Sequence, residues 1–170
     1  MLWICVLKPF QKFSGKIWRD TPWTTPFKSK LFEVTILMTQ LIDKVAWIHV
    51  HDRKLLSTRS IGKDAYYIPG GKREGKETDT QTITREIKEE LSVDLVEDSL
   101  EFFGTFTAQA HGKKEGVLVQ IKCYTGNFTG ELRPAAEIEE MVYLEYTDKL
   151  KSSPVDHFVF DLLKEQNLID

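Results

Sequence analysis

The 170-residue chain, with 41% hydrophobic, 29% charged and 11% aromatic residues, has the composition of one ordinary globular domain, able to fold without disulfides or a structural metal. Its longest apolar run near the start, Leu2–Leu7, spans six residues, too few for a membrane span or a secretory leader. A net charge of −3 gives no general attraction to nucleic-acid polymers or anionic lipid, so any phosphate chemistry has to come from a local site.

Residues 1–37 carry six basic against two acidic side chains, a balance of +4, which leaves −7 for the rest. This head is broken by Pro9, Gly15, Pro22 and Pro26 and shows neither a period of two nor one of 3.6. Two readings stand. It is an appendage upstream of a native start at Met38, or a lid or oligomer contact in which Trp3, Trp18 and Trp23 pack on the domain of residues 38–170. Cys5 and Cys123 lie far apart and outside any ligand pattern, which reads as free thiols in a reducing, cytoplasmic setting.

From Lys44 the alternation of Val45, Trp47, His49 and His51 with Ala46, Ile48 and Val50 predicts a strand covered on both faces, and Lys54–Ser60 continues it after a turn at Asp52 and Arg53. Tyr66–Ile68 reads as a short strand that stops at Pro69-Gly70-Gly71. A polar loop, Lys72–Lys76, leads to a helix from about Thr78 to Leu91. Leu100–Ala110 and Val117–Phe128 read as strands joined by a hairpin turn over His111–Gly116. A last strand, Met141–Tyr146, precedes a helix in which Ser153 caps, Pro154 takes the first position, and Phe158, Leu162 and Leu163 form the apolar stripe.

Chemistry concentrates in the first helix. Glu86, Glu89 and Glu90 stand at i, i+3 and i+4, an arc of about 100° on one side. Like charges at that spacing repel, so a helix gains nothing from them unless a cation sits among them, and carboxylates on a rigid element suit Mg²⁺ or Mn²⁺. Ile83, Ile87 and Leu91 make an apolar stripe roughly 100° away, which buries one side and leaves the acids facing a cleft. A solvated acidic face is the alternative for such a helix taken alone.

The preceding residues favour the cleft. Gly71, Glu77 after five residues, Arg85-Glu86-Ile87-Lys88-Glu89-Glu90 after seven more, and Val93 resemble the Nudix box, with Ser92 in place of its usual glycine and Tyr67-Ile68-Pro69-Gly70-Gly71-Lys72 as a family-like lead-in. The resemblance is specific over residues 68–93 and looser over 43–168. It implies an α/β fold, the Nudix α/β/α sandwich, with a mixed central sheet between the box helix and the C-terminal helix. It also implies a divalent metal held by Glu86, Glu89, Glu90 and the Gly70 carbonyl, and a structural ion pair between Glu77 and Arg85. The expected activity is hydrolysis of a pyrophosphate linkage by metal-activated water, with one glutamate as general base. Glycine at Gly70 and Gly71 permits a sharp turn and close approach, and Ser92 leaves the helix exit open, because the left-handed conformation a glycine accepts there costs another residue about 1 kcal/mol.

Substrate is less legible. No proline or tyrosine follows the box at the spacing of the ADP-ribose or dinucleoside polyphosphate hydrolases, Ala108-Gln109-Ala110-His111 standing there instead, and only the start of a coenzyme A signature is present at Leu55–Ser60. What remains resembles the MutT-type enzymes of nucleoside triphosphates, oxidised ones included, with ADP-ribose or a nucleotide sugar as the alternative. Arg59, Gly71 and Lys72 are the expected substrate contacts. Trp47, Phe106 or Tyr67 would stack a base or simply pack the core. His49 and His51 share a strand face without a third ligand, and His111 sits in the hairpin turn. Glu137, with Glu139 and Glu140 competing, is the candidate for one more carboxylate as ligand or base. The expected partner is a small nucleotide, with no nucleic-acid polymer or membrane, for a monomer or homodimer. A ligand-sensing module without turnover is the remaining alternative, which three mutually repelling carboxylates disfavour.

Overall fold

The computed structural model describes residues 40–170; the expectations for residues 1–37, Met38 and Cys5 lie outside them. In chain order the elements are β1 (Gln40–Trp47), β2 (Val50–His51), β3 (Lys54–Ser60), β4 (Gly70–Lys72), α1 (Asp79–Leu91), β5 (Asp94–Leu95), β6 (Glu101–Gln109), β7 (Val117–Thr125), β8 (Phe128–Thr129), β9 (Ile138–Leu144) and α2 (Asp156–Glu165). The strands form a mixed sheet β4-β1-β7-β6, an antiparallel sheet β2-β3-β9 and a small β5-β8 pair. In the mixed sheet β1 and β7 run parallel, while β4 and β6 are antiparallel to their neighbours.

Alternation along β1 sends side chains to opposite faces. Val45 and Trp47 pack with Leu56 and with Ile83, Ile87 and Leu91 of α1. Ala46 and Ile48 pack with Leu55 and with Val159, Phe160 and Leu163 of α2. The two helices thus cover opposite faces, the expected sandwich. Ile83, Ile87 and Leu91 are each 0% exposed, and burial of such side chains is worth roughly 1.5–3 kcal/mol apiece. Helix α1 starts at a capping box: Gln81 N–H donates to Thr78 Oγ1 (3.2 Å), and Thr78 N–H donates to Gln81 Oε1 (2.9 Å). It ends at Ser92, whose φ of 61° and ψ of 19° settle the exit as left-handed, the conformation glycine takes at lower cost.

Three expectations need correction. The strand from Lys44 begins earlier, at Gln40, and breaks after Trp47, because Ile48 N–H bonds to the Tyr124 carbonyl and Leu56 N–H to that of His49, outside the regular ladder. Tyr66–Ile68 makes only isolated bridges, to Thr58 and Ser152, and the edge strand is Gly70–Lys72 instead. In α2 the buried stripe is Asp156, Val159, Phe160 and Leu163, one step round from the expected one, and Phe158 is exposed. The helix begins at Asp156 because Ser153-Pro154 forms a turn, closed by Asp156 N–H donating to the Ser153 carbonyl (3.0 Å).

Candidate active site

The loop between β4 and α1 is tied to the helix through one carboxylate. Glu77 accepts from Arg85 Nε (2.8 Å) and Nη2 (2.9 Å), from Glu74 N–H (2.9 Å) and from the Thr82 hydroxyl (3.2 Å). Those donors, Arg85 first, hold its carboxyl at about 2, below the usual carboxylate range. Arg85 Nη2 also donates to the Lys72 carbonyl (3.1 Å), so helix, loop and edge strand are locked together. Arg73 adds a second tie, to Asp43 on β1 (2.8 Å) and to Asp79 in the first turn of α1.

Two glycines on β4 decide what α1 presents to the sheet edge. Gly70 has φ +136°, and a Cβ there would lie 2.2 Å from the Val45 carbonyl oxygen. A Cβ on Gly71 would lie 2.1 Å from Cδ of Glu86, so the Glu86 carboxylate occupies the volume a side chain would fill. Beside it, Gly70 N–H donates to Glu90 Oε2 (3.0 Å). Burial pushes both carboxyls up, Glu86 in spite of Arg85 Nη1 at 3.0 Å, and Glu90, which is 7% exposed, to about 7.

Glu86 and Glu90 face a cavity of about 450 Å³ that Gly70 and Gly71 also line, together with Lys44, Lys72, Tyr67, His111, Glu137 and Asp156. Glu137 is brought there by the segment before β9, where Arg133 N–H and Ala135 N–H donate to the free carbonyls of Leu91 and Glu90 at the end of α1 (3.0 and 2.9 Å). Tyr67 and His111 meet at 2.8 Å between the phenol oxygen and Nδ1, which brings the β6–β7 hairpin to the cavity. Asp156, only 3% exposed, accepts from the Ser153 hydroxyl (2.8 Å), and burial pushes its carboxyl up to about 7.

Of the residues expected from sequence, Glu86, Glu90, Gly70, Gly71, Lys72 and Glu137 come together on this cavity. Glu89, its side chain 56% exposed, stands outside the lining on the next turn, 3.4 Å from Arg85 Nη1. Arg59 is not in the lining: Nη1 is held by Glu139 (2.6 Å) and Nη2 by Glu140 (2.9 Å), which also accepts from the Tyr66 hydroxyl (2.8 Å). Arg59, Glu139 and Glu140 are thus paired with one another away from the cavity, whereas Glu137 lines it. Trp47 is 0% exposed and donates to the Gly126 carbonyl (3.2 Å), so it packs the core and cannot stack a base. Phe106 packs against the same core as α2. His49 stacks on Trp47 with centroids 4.9 Å apart, and His51 lies beside Asp52 (3.4 Å). Lys44, Asp156, Lys63 and Lys113, all in the lining, were not expected from sequence.

Among the described residues no three acidic, imidazole or thiol side chains already converge as a ligand set. The donor chemistry nevertheless fits a hard divalent cation: the half-buried Glu86 and the buried Glu90, neighbours one turn apart on α1, both lose solvation on the cavity wall, and a bound Mg²⁺ or Mn²⁺ would offset that loss.

No curated protein matches the chain. Among solved structures it is similar to the ORF135 protein of E. coli (23% identity, TM-score 0.60, covering 76% of this chain and 92% of that one). It is also similar to a MutT protein from Methanosarcina mazei Go1 (16%, TM-score 0.61, 76% and 97%) and a MutT Nudix hydrolase from Burkholderia pseudomallei (22%, TM-score 0.57, 75% and 98%). At these identities the likeness is one of fold. The family model described as NUDIX domain matches residues 41–162, most of the chain and all of the cavity's acidic wall. With the box ion pair, the glycine edge and the paired helix carboxylates all inside that match, the chain belongs to the Nudix family and is a hydrolase of phosphoric anhydrides.

Proposed function

We propose that the protein cleaves a pyrophosphate linkage in a nucleoside di- or triphosphate derivative, oxidised deoxynucleoside triphosphates among them, with Mg²⁺ or Mn²⁺ as cofactor. The observation that carries this reading is the Glu86 carboxylate in the space vacated by Gly71, beside Glu90 on the Gly70 amide, in one cavity with Lys44 and Lys72. Acids for a cation and ammonium groups for an anion share a space of nucleotide size.

Glu86, Glu90 and the Gly70 carbonyl would hold the metal from the cavity side, and Glu89 would join from the rim. The cation supplies charge neutralisation on the leaving phosphate and a lowered pKa for bound water. The lysines orient the phosphate chain for in-line attack. Water adds its oxygen to one phosphorus, the bond from that phosphorus to the bridging oxygen breaks, and the released proton passes to a carboxylate. Glu137 suits this step, since it lines the cavity and no described cation pairs with it. Asp156, beside Tyr67 in the lining, offers a nucleobase a buried hydrogen-bonding group. Arg85 and Glu77 act through geometry by holding Lys72 and Glu86 in place. A panel of nucleoside triphosphates, diphosphates, ADP-ribose and nucleotide sugars with Mg²⁺, scored by the phosphate product released, tests the reading. Nucleoside monophosphate with pyrophosphate or phosphate is expected, and products of ADP-ribose cleavage alone would replace this substrate class with the other.

A further inference from the structure

We propose that Lys44 is a substrate-positioning residue that closes, with Lys72, a two-lysine clamp on the phosphate chain; this rests on the nucleotide-hydrolase reading above. Lys44 on β1 is the register partner of Lys72 on the antiparallel edge strand β4. Residues directly opposite in such a pair share a face with their Cβ atoms about 4.5–5.5 Å apart, and like charges there are unfavourable. Both side chains line the cavity. An anion between them is the arrangement that turns this repulsion into binding.

The cations around the cavity divide into those held in ion pairs and the lysines of the lining. Arg73 is held by Asp43 and Asp79, Arg85 by Glu77 and Glu86, Arg59 by Glu139 and Glu140, and Lys122 by Asp79. Among the described residues none of the lining lysines, Lys44, Lys63, Lys72 and Lys113, makes an ion pair, and of these only Lys44 and Lys72 face each other across paired strands. Lys44 is close enough to act electrostatically on Glu86 and Glu90 of α1 and on Asp156 at the start of α2, yet it touches none of them. A lysine kept only to neutralise acids would be in contact with one. Standing between the carboxylates of the hydrolytic wall and the buried acid at α2, Lys44 is placed for the phosphates that span the two, while Lys63 and Lys113 lie elsewhere on the same lining. The β1 backbone is fixed on both sides, by β4 and by the parallel neighbour β7, which gives the ammonium a rigid base.

The test measures binding of inorganic tripolyphosphate by calorimetry without metal, for the wild type, Lys44→Gln, Lys72→Gln, the double variant and Lys44→Arg, with melting temperatures alongside. Loss of either lysine is expected to weaken tripolyphosphate at least fivefold at unchanged melting temperature, the double variant to lose less than the product of the two single losses, and Lys44→Arg to keep most of the affinity. On the nucleotide turned over, Lys44→Gln should raise KM about tenfold and lower kcat less than threefold, the split of a group that binds ground and transition state alike. Unchanged tripolyphosphate affinity in Lys44→Gln overturns the clamp, as does an equal loss in Lys44→Arg. A wild type that turns over no nucleotide while Lys44→Gln still loses tripolyphosphate would overturn the nucleotide reading and leave the clamp standing.

Discussion

Replacing Glu90 by glutamine should stabilise the metal-free protein at pH 8 while removing its activity. The Glu90 carboxyl is 7% exposed, and lost solvation raises it from 4.5 to about 7. Below pH about 4.5 both folded and unfolded chains carry the proton. Between 4.5 and about 7 the unfolded chain releases it and the folded one does not, so stability falls by about 1.4 kcal/mol per pH unit and then levels off. The window of roughly 2.5 units amounts to about 3 kcal/mol as an upper bound, or on the order of 10 °C in Tm. Glutamine carries no such cost, and its side-chain oxygen can still accept from Gly70 N–H. Denaturant unfolding of both proteins from pH 4 to 8 with chelator present checks this, and saturating Mg²⁺ should raise the wild type's Tm more than the variant's at pH 8. A difference between the two that does not vary with pH, or a wild type more stable than the variant at pH 8 without metal, would refute the reasoning.

The two glycines of β4 separate activity from folding. Gly71→Ala meets only the movable end of Glu86, so Tm should hold while kcat falls at least tenfold, whereas Gly70→Ala meets the Val45 and Ala46 backbone at φ +136° and should fail to fold stably, both read by melting and turnover. Ser92→Gly should be neutral or stabilising by up to about 1 kcal/mol, because its left-handed φ of 61° costs a serine more than a glycine; a clear loss in denaturant midpoint would count against the cap. Asp156→Asn should change the ranking of bases in a nucleotide panel more than it changes kcat on the preferred one, since it alters a hydrogen-bonding group and leaves the metal wall intact. A chain started at Met38 retains all of β1, and its Tm and kcat/KM are expected to match those of the full chain.

What was legible in the sequence was local. The spacing of Glu86, Glu89 and Glu90 and the apolar stripe of Ile83, Ile87 and Leu91 both follow from one helical period, and the structure buries that stripe as read. The roles that stayed hidden depend on which strands meet. Arg59 stands in the sequence as a cation at a strand end, suited to a phosphate, but the β3–β9 register sets it opposite Glu140, some eighty residues on. Lys44 looked like an ordinary strand end until the β1–β4 register placed it across from Lys72. Asp156 was not singled out in the sequence, and its burial, with the Ser153 hydroxyl donating to it, appears only in the fold. Tyr66–Ile68 has strand-like composition, yet β1 takes Gly70–Lys72 as its partner, where the glycines allow close approach to α1.

The most direct test of the account is hydrolysis of the preferred nucleotide in H₂¹⁸O as Mg²⁺ is titrated, comparing the wild type with Glu86→Gln. The expected result is ¹⁸O in one phosphate-bearing product, turnover that rises from background only with the divalent cation, and a kcat for Glu86→Gln lower by at least about a hundredfold at unchanged fold. Turnover that is independent of the metal, or a Glu86→Gln enzyme as fast as the wild type, would contradict it.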